Sequence, residues 1–185
     1  GCGDWRITAE VAARVPRGSV LGSDPSPGML DVARTREAPN LAFAPGSVES
    51  MAYDAEFDAV LSFNALHWVA DHDLAMRHVR QALVRHGTAL LQFVCDGERP
   101  SIEDVALSVI RLPEWAAYVD GVAAPFHHSD PQLVAEKAER AGLAVTALRV
   151  DDLAWDFATA DAIRAELQGA GWVVETTKAG TAVRR

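Results

Sequence analysis

Short, continuously apolar runs alternate with amphipathic stretches of helical period through the first 94 residues, and that rhythm narrows the choice of fold more than any other feature. Ser19–Ser23, Leu41–Ala44, Phe57–Phe63 and Thr88–Val94 have the length and composition of buried strands. Between them, Trp5–Val15 places Ile7, Val11, Ala12 and Val15 at helical spacing, and Pro16-Arg17-Gly18 stops it. Pro25–Arg36 reads as a helix with Ser26 as N-cap and Pro27 in its first turn. Asp73–Val84 is a further helix. Strand, helix, strand in that order implies crossover connections and a mostly parallel sheet with helices on both faces. The expected class is α/β and doubly wound.

The second half is less regular. Ser101–Asp120 has helical character interrupted by Pro113, so a kink or two pieces is expected. Pro131–Ala141 is a clear helix, capped by Ser129 or Asp130 and ended by Gly142. Leu143–Val150 is expected as a strand, extending as far as Phe157, followed by a helix over Thr159–Gln168. The tail carries a weak strand signal at Trp172-Val173-Val174.

Composition removes some classes of function. A net charge of −9 argues against a nucleic-acid or anionic-membrane surface, each of which needs clustered Lys and Arg. Only Cys2 and Cys95 occur, without the spacing of a zinc site or a disulfide framework, so no metal site and a cytoplasmic setting are expected. No apolar run has transmembrane length.

Gly1-Cys2-Gly3-Asp4 is followed, about 20 residues on, by Asp24 at the end of an apolar run. A glycine turn lets backbone approach a ligand closely, and a carboxylate at that interval is placed to accept hydrogen bonds from ribose hydroxyls. Together they suggest an adenosine-containing cofactor at the edge of a parallel sheet. Such a turn ordinarily follows a strand, and no residues precede Gly1, so the first strand is expected to be missing.

The segments Gly1-Cys2-Gly3-Asp4, Val20 to Leu30 with Ala33-Arg34, and Phe57 to Val69 resemble the class I S-adenosylmethionine-dependent methyltransferases. Within that class they look most like the trans-aconitate methyltransferases and related carboxyl methyltransferases of small molecules. Pro125 to Ser129 and Ala141-Gly142-Leu143 fit the same branch more loosely. The resemblance implies a Rossmann-like methyltransferase domain over 1–185, incomplete at the N-terminus and short at the tail. It implies S-adenosyl-L-methionine as cofactor and a small carboxylic acid as methyl acceptor; a monomer without nucleic-acid or membrane partners is expected alongside.

The same resemblance assigns roles by position. Gly1 and Gly3 let the turn press against the methionine part of the cofactor, and the first N–H groups of the Trp5 helix face its carboxylate. Asp24 takes the ribose hydroxyls. Met29 is either an adenine contact or a core residue of its helix. Ser47 and Val48 occupy the places of an Asp–Ala pair that reads the adenine edge, and Asn64 lines the cleft near the sulfonium. Three departures stand out. Trp5 replaces the third glycine, Ser47 replaces the adenine-reading Asp, and Arg85-His86-Gly87 replaces a Pro-Gly-Gly turn.

No catalytic residue is assigned. A carboxylate acceptor is already ionised at neutral pH and needs alignment more than a general base. His67 is accordingly expected to position substrate or to be structural, and His127 and His128 to sit on a solvated loop, with a place facing the cleft as the alternative. Trp5 is expected to pack, and Glu10–Arg14 to form a solvated ion pair. Two alternatives remain: an inactive or cofactor-binding remnant, and a nicotinamide-dependent oxidoreductase, against which stands Arg6 in the place of a third glycine.

Overall fold

The computed structural model describes residues 1–119, 121, 123–151, 173–177 and 180–184. It divides into two compact units, Gly1–Arg149 and Val150–Arg185.

The first unit follows the alternation closely. Helix α1 (Arg6–Arg14) leads to strand β1 (Val20–Asp24), helix α2 (Pro27–Arg34) and strand β2 (Leu41–Pro45). Strands β1 and β2 pair in parallel, with Val20 opposite Leu41 and Asp24 opposite Pro45. Ser26 caps α2 by accepting the Met29 N–H at 3.4 Å, and Pro27 fills a first-turn position where a missing N–H costs nothing. Ala12, Leu30, Ala33, Leu41 and Phe43 form the core of this half.

Strand β3 (Phe57–Phe63) continues through a short 3₁₀ turn, Leu66–Trp68, into helix α3 (His72–Ala82). Strand β4 (Leu83–Gln92) then starts at the residue following that helix, earlier than the apolar run predicts. Leu83 pairs with Phe57, the register breaks, and regular parallel pairing resumes from Ala59 opposite Thr88 to Phe63 opposite Gln92. The break is the Arg85-His86-Gly87 turn. A Cβ on Gly87 would lie 3.0 Å from Leu83 Cδ2 and 3.2 Å from the carbonyl oxygens of Phe57 and Asp58, so glycine lets the turn pack closely onto β3.

Pro113 divides the expected helix into α4 (Ile102–Ile110) and α5 (Pro113–Val119). Helix α6 (Pro131–Arg140) is capped by Asp130, whose Oδ1 accepts the N–H groups of Gln132 and Leu133 at 2.8 and 3.0 Å. Gly142 ends it at φ +88°. A second core joins Leu66, Val69, Ala75, Met76, Val134 and Ala138, placing α6 against α3. Asp73 reinforces that contact with ion pairs to Lys137 at 3.2 Å and Arg140 at 3.0 Å, which hold its carboxyl below its ordinary range.

The two strand pairs are hydrogen-bonded as separate sheets, β1–β2 and β3–β4. They are tied together by the connection after β2. The Val48 side chain packs into the second core, and its carbonyl accepts a hydrogen bond from His78 Nδ1 at 2.7 Å.

Leu143–Val150 is not a strand. Leu143 folds back onto α6, its N–H on the Ala138 carbonyl at 3.0 Å, and Val145, Leu148 and Val150 are exposed. Alternating apolar residues make a strand only where a neighbouring backbone accepts the ladder, and none does so here among the described residues. In the second unit, β5 (Val173–Thr177) and β6 (Gly180–Arg184) form an antiparallel hairpin, in keeping with the weak signal in the tail. The expected extension to Phe157, the helix over Thr159–Gln168 and Trp172 itself lie outside the described residues. No described helix is long and apolar enough to cross a membrane.

Gly22 is the tightest point of the first core. A Cβ there would stand 2.7 Å from Phe43 Cδ1 and 3.2 Å from Cys2 Cβ. Gly22→Ala is expected to cost about 1–3 kcal/mol in urea unfolding. Combined with Phe43→Leu, it should cost less than the two single changes together, because the clash and the cavity share one space.

Candidate functional site

The site is built at the carboxyl ends of β1 and β3. Asp24, 7% exposed, closes β1 and spends each carboxylate oxygen on a different segment. Oδ2 accepts the Gly3 N–H at 2.8 Å, and Oδ1 accepts the Ser26 N–H at 2.9 Å. The Cys2 N–H donates to the Ser23 carbonyl at 2.8 Å, and the Gly46 N–H to the Asp24 carbonyl at 3.2 Å. The glycine turn, the start of α2 and the loop after β2 are thus joined at one residue. Each carboxylate oxygen keeps a free lone-pair direction for a further donor.

Gly1 lies between the ends of the two strand pairs. A Cβ on it would meet Ala65 Cβ at 3.0 Å and Asp24 Oδ2 at 3.6 Å. Gly3 adopts φ +55°, the left-handed region that glycine tolerates best. Trp5 takes φ +92° at the start of α1, an uncommon conformation for a bulky residue that costs roughly 1–2 kcal/mol. The indole recovers some of that cost by packing on the first core, with the Arg36 guanidinium 4.5 Å over its ring. Trp5 therefore acts as the packing residue expected of it. No side chain caps α1, which leaves its first N–H groups free to meet an anion.

The remaining expected residues fall around this centre. Met29 follows one turn after Ser26 and is 46% exposed, so it is not a core residue of α2. Asn64 follows β3 with φ +51°, its N–H on the Gln92 carbonyl at 2.9 Å and its side chain exposed. Ser47 is engaged with Ser50, whose Oγ accepts the Ser47 N–H at 3.0 Å and lies 3.3 Å from Ser47 Oγ. A cavity of about 390 Å³, lined by Ser23, Pro45, Gly46, Ser50 and Met51 among others, adjoins that turn. The Val48 side chain packs against the second core. Burial and the nearby Asp24 carboxylate push the Cys2 thiol above its ordinary range, which keeps it protonated and unreactive at neutral pH.

Beyond Asn64 lies a cluster that motif reading resolves poorly. His67 is 3% exposed. The Val94 N–H points at its Nδ1 over 3.4 Å, which leaves the ring proton on Nε2. Burial holds its pKa below the ordinary 6.5, Glu103 opposes that shift and His128 adds to it. The expectation of a solvated His128 is corrected. Its side chain is only 5% exposed, stacked on Phe126 with centroids 4.6 Å apart and 3.6 Å from Asp104 Oδ2. His127 is exposed as expected, its N–H on the His67 carbonyl at 2.6 Å. Among the described residues, His128 Nε2 and Glu103 Oε2 are buried without a hydrogen-bond partner. Trp68 stands at 6.5 Å from Phe126, edge to face. The one sequence signal for this cluster is Phe126-His127-His128 itself, because the burial arises from packing against residues some 60 positions earlier.

Paired parallel strands with a glycine turn and a buried carboxylate at their carboxyl ends form an α/β arrangement suited to a nucleoside-containing cofactor. Residues 1–91 match the family described as Methyltransferase domain. That match, with the relatives below, supports a class I S-adenosylmethionine-dependent methyltransferase with S-adenosylmethionine as cofactor, and stands against the nicotinamide-dependent alternative. It is 33% identical over 101 residues to trans-aconitate 2-methyltransferase of Deinococcus radiodurans, an alignment covering 55% of this chain and 38% of that one. It is 30% identical over 153 residues to juvenile hormone acid O-methyltransferase of Bombyx mori, covering 77% and 54%. The chain thus spans about half the length, or less, of these curated relatives. The crystal structure of an S-adenosylmethionine-dependent methyltransferase from Mesorhizobium loti superposes with a TM-score of 0.59 at 21% identity, over 92% of this chain and 83% of that one.

The His67 environment sets a pH dependence for the fold. A histidine whose folded pKa lies below its unfolded value stays neutral in the folded state while the unfolded chain takes up a proton. Stability should therefore be unaffected well above pH 6.5 and fall as the pH drops below it. Urea midpoints measured from pH 8 to pH 5 should show that loss, and His67→Asn should flatten it.

Proposed function

We propose that this chain transfers the methyl group of S-adenosylmethionine to a carboxylate oxygen of a small organic acid. The observation that carries the cofactor half is Asp24, a buried carboxylate fixed by the Gly3 and Ser26 N–H groups at the strand ends. Its remaining lone pairs suit ribose hydroxyls, and its burial makes such bonds stronger than they would be in water. Gly1 and Gly3 give the backbone room to approach the methionine part, and the uncapped start of α1 offers N–H groups to its carboxylate. Met29 offers an exposed, polarisable face to the adenine. Ser47 offers a neutral hydroxyl where the family pattern has a carboxylate, and Asn64 lines the cleft beyond β3. When bound, S-adenosylmethionine supplies an electrophilic methyl on a sulfonium.

The acceptor half rests on the relatives named for acid O-methylation and on the cluster beyond Asn64. His67, neutral with its proton on Nε2, is suited to donate to an acceptor carboxylate and hold one oxygen in line. His128 Nε2 and Glu103 Oε2 are suited to the acceptor's other polar groups, and Trp68 and Phe126 to its apolar body. No proton has to be removed from an ionised carboxylate, so catalysis is alignment and desolvation with no general base. A second reading, a chain that binds the cofactor without turnover, is favoured by Ser47 being engaged with Ser50 and by the strained Trp5.

Calorimetric titration with S-adenosylhomocysteine tests the first half. Micromolar binding is expected, weakened at least tenfold, or about 1.4 kcal/mol, by Asp24→Ala in a chain shown to be folded by circular dichroism. Turnover on a panel of small carboxylic acids tests the second. For an acid that is methylated, kcat should be level from pH 6.5 to 9, and His67→Ala should raise KM more than it lowers kcat. Binding without turnover on any acid would select the second reading.

A further inference from the structure

A further cavity, about 500 Å³, lies at the opposite end of β3 and β4 from the residues described above. Asp54 and Ala55 precede β3, while Leu83 and Arg85 begin β4, so the cavity sits at the amino ends of these strands. A strand of this length separates the two sites by roughly 20 Å. Arg77, Arg80 and Arg85 line it together with Gln81, and Asp54 is its one carboxylate. Two positive charges are thus left uncompensated within the lining, in a chain whose net charge is −9.

These arginines have no structural task that accounts for all three. Arg80 is anchored, with Nη1 donating to the Leu83 carbonyl at 3.2 Å and its Cγ lying against Gly142. Among the described residues, the guanidinium groups of Arg77 and Arg85 have neither an ion pair nor a hydrogen bond. Both are exposed at the rim. The backbone holding the rim is unusual as well. Ala55, in the lining, has φ +51°, and His86, next to Arg85, has φ +67°. The tight packing of Gly87 on β3 fixes that turn, so Arg85 projects from a rigid bulge and not from a loose loop.

We infer that this cavity is an anion site for a dianionic phosphoryl group, separate from the methyl-transfer cleft. A phosphoryl group carries close to two negative charges at neutral pH, which matches the uncompensated charge of the lining. Its tetrahedral oxygens can be met by guanidinium forks from several directions at once, and Arg77, Arg80 and Arg85 come from two different elements around one cavity. The volume falls in the range of small-molecule sites and leaves room for the body of a phosphate ester.

Titration calorimetry of the full chain at low ionic strength, with inorganic phosphate, phenyl phosphate and succinate, tests this site. Saturable binding of phosphate or phenyl phosphate with Kd below about 1 mM is expected, and the tighter of the two identifies free phosphate or its esters as the ligand. The double variant Arg77→Gln/Arg85→Gln should weaken it at least tenfold with an unchanged thermal midpoint. If the double variant fails to fold, each single variant should weaken binding at least threefold. No saturable binding to the wild type, equal binding by the variants, or succinate binding as tightly as phenyl phosphate would overturn the assignment.

Discussion

One carboxylate organises the carboxyl edge of the first unit. Asp24 receives the Gly3 N–H on one oxygen and the Ser26 N–H on the other, and its carbonyl receives the Gly46 N–H. Two segments are therefore held by one buried side chain, and a third by the backbone carbonyl of the same residue. Charge-assisted bonds of this kind are shorter and about twice as strong as neutral ones. Burial raises the cost of leaving any of these N–H groups unpaired. The group proposed to bind ribose is thus also the group that shapes its own surroundings, which keeps the site preorganised.

Much of this edge can be read from the sequence, because it is specified locally. Ser26-Pro27 announces the start of α2, Pro113 divides α4 from α5, and Asp130-Pro131 starts α6. The pairing of Asp24 with the glycine turn follows from the short reach of a βα unit. What the sequence conceals is what depends on distant partners. The apolar pattern of Leu143–Val150 is that of a strand, yet no backbone lies beside it among the described residues, and Leu143 caps α6 instead. His128 looks like a loop residue until Phe126 stacks on it and His67 lies nearby. The arginine cavity is likewise invisible in the chain, since Arg77 and Arg80 belong to α3 and Arg85 to β4.

The departures from the family pattern carry different physical meanings. Trp5 takes a positive φ at a place where the resemblance expects glycine, and offsets the strain with packing and the Arg36 contact. Ser47 exchanges a charge for a hydroxyl already engaged with Ser50. Arg85-His86-Gly87 retains the final glycine where Leu83 and β3 would crowd a Cβ, and puts a cation where the pattern has proline. The first is a backbone constraint solved in another way, the second lowers local charge, and the third adds it at the far end of the strands.

The connection after β2 has a consequence of its own. Val48 anchors in the core around Met76, while Gly46, two residues earlier, is bonded to Asp24. A ligand that tightens the Asp24 network would therefore pull on the packing of α3 and α6 through a span of three residues. The two strand pairs share no hydrogen-bonded ladder, so this short splice is one of the few routes by which occupancy at one sheet can reach the other. In amide exchange, Gly46 and the interior of α3 would then respond to cofactor as one cooperative unit, although no α3 side chain belongs to the site.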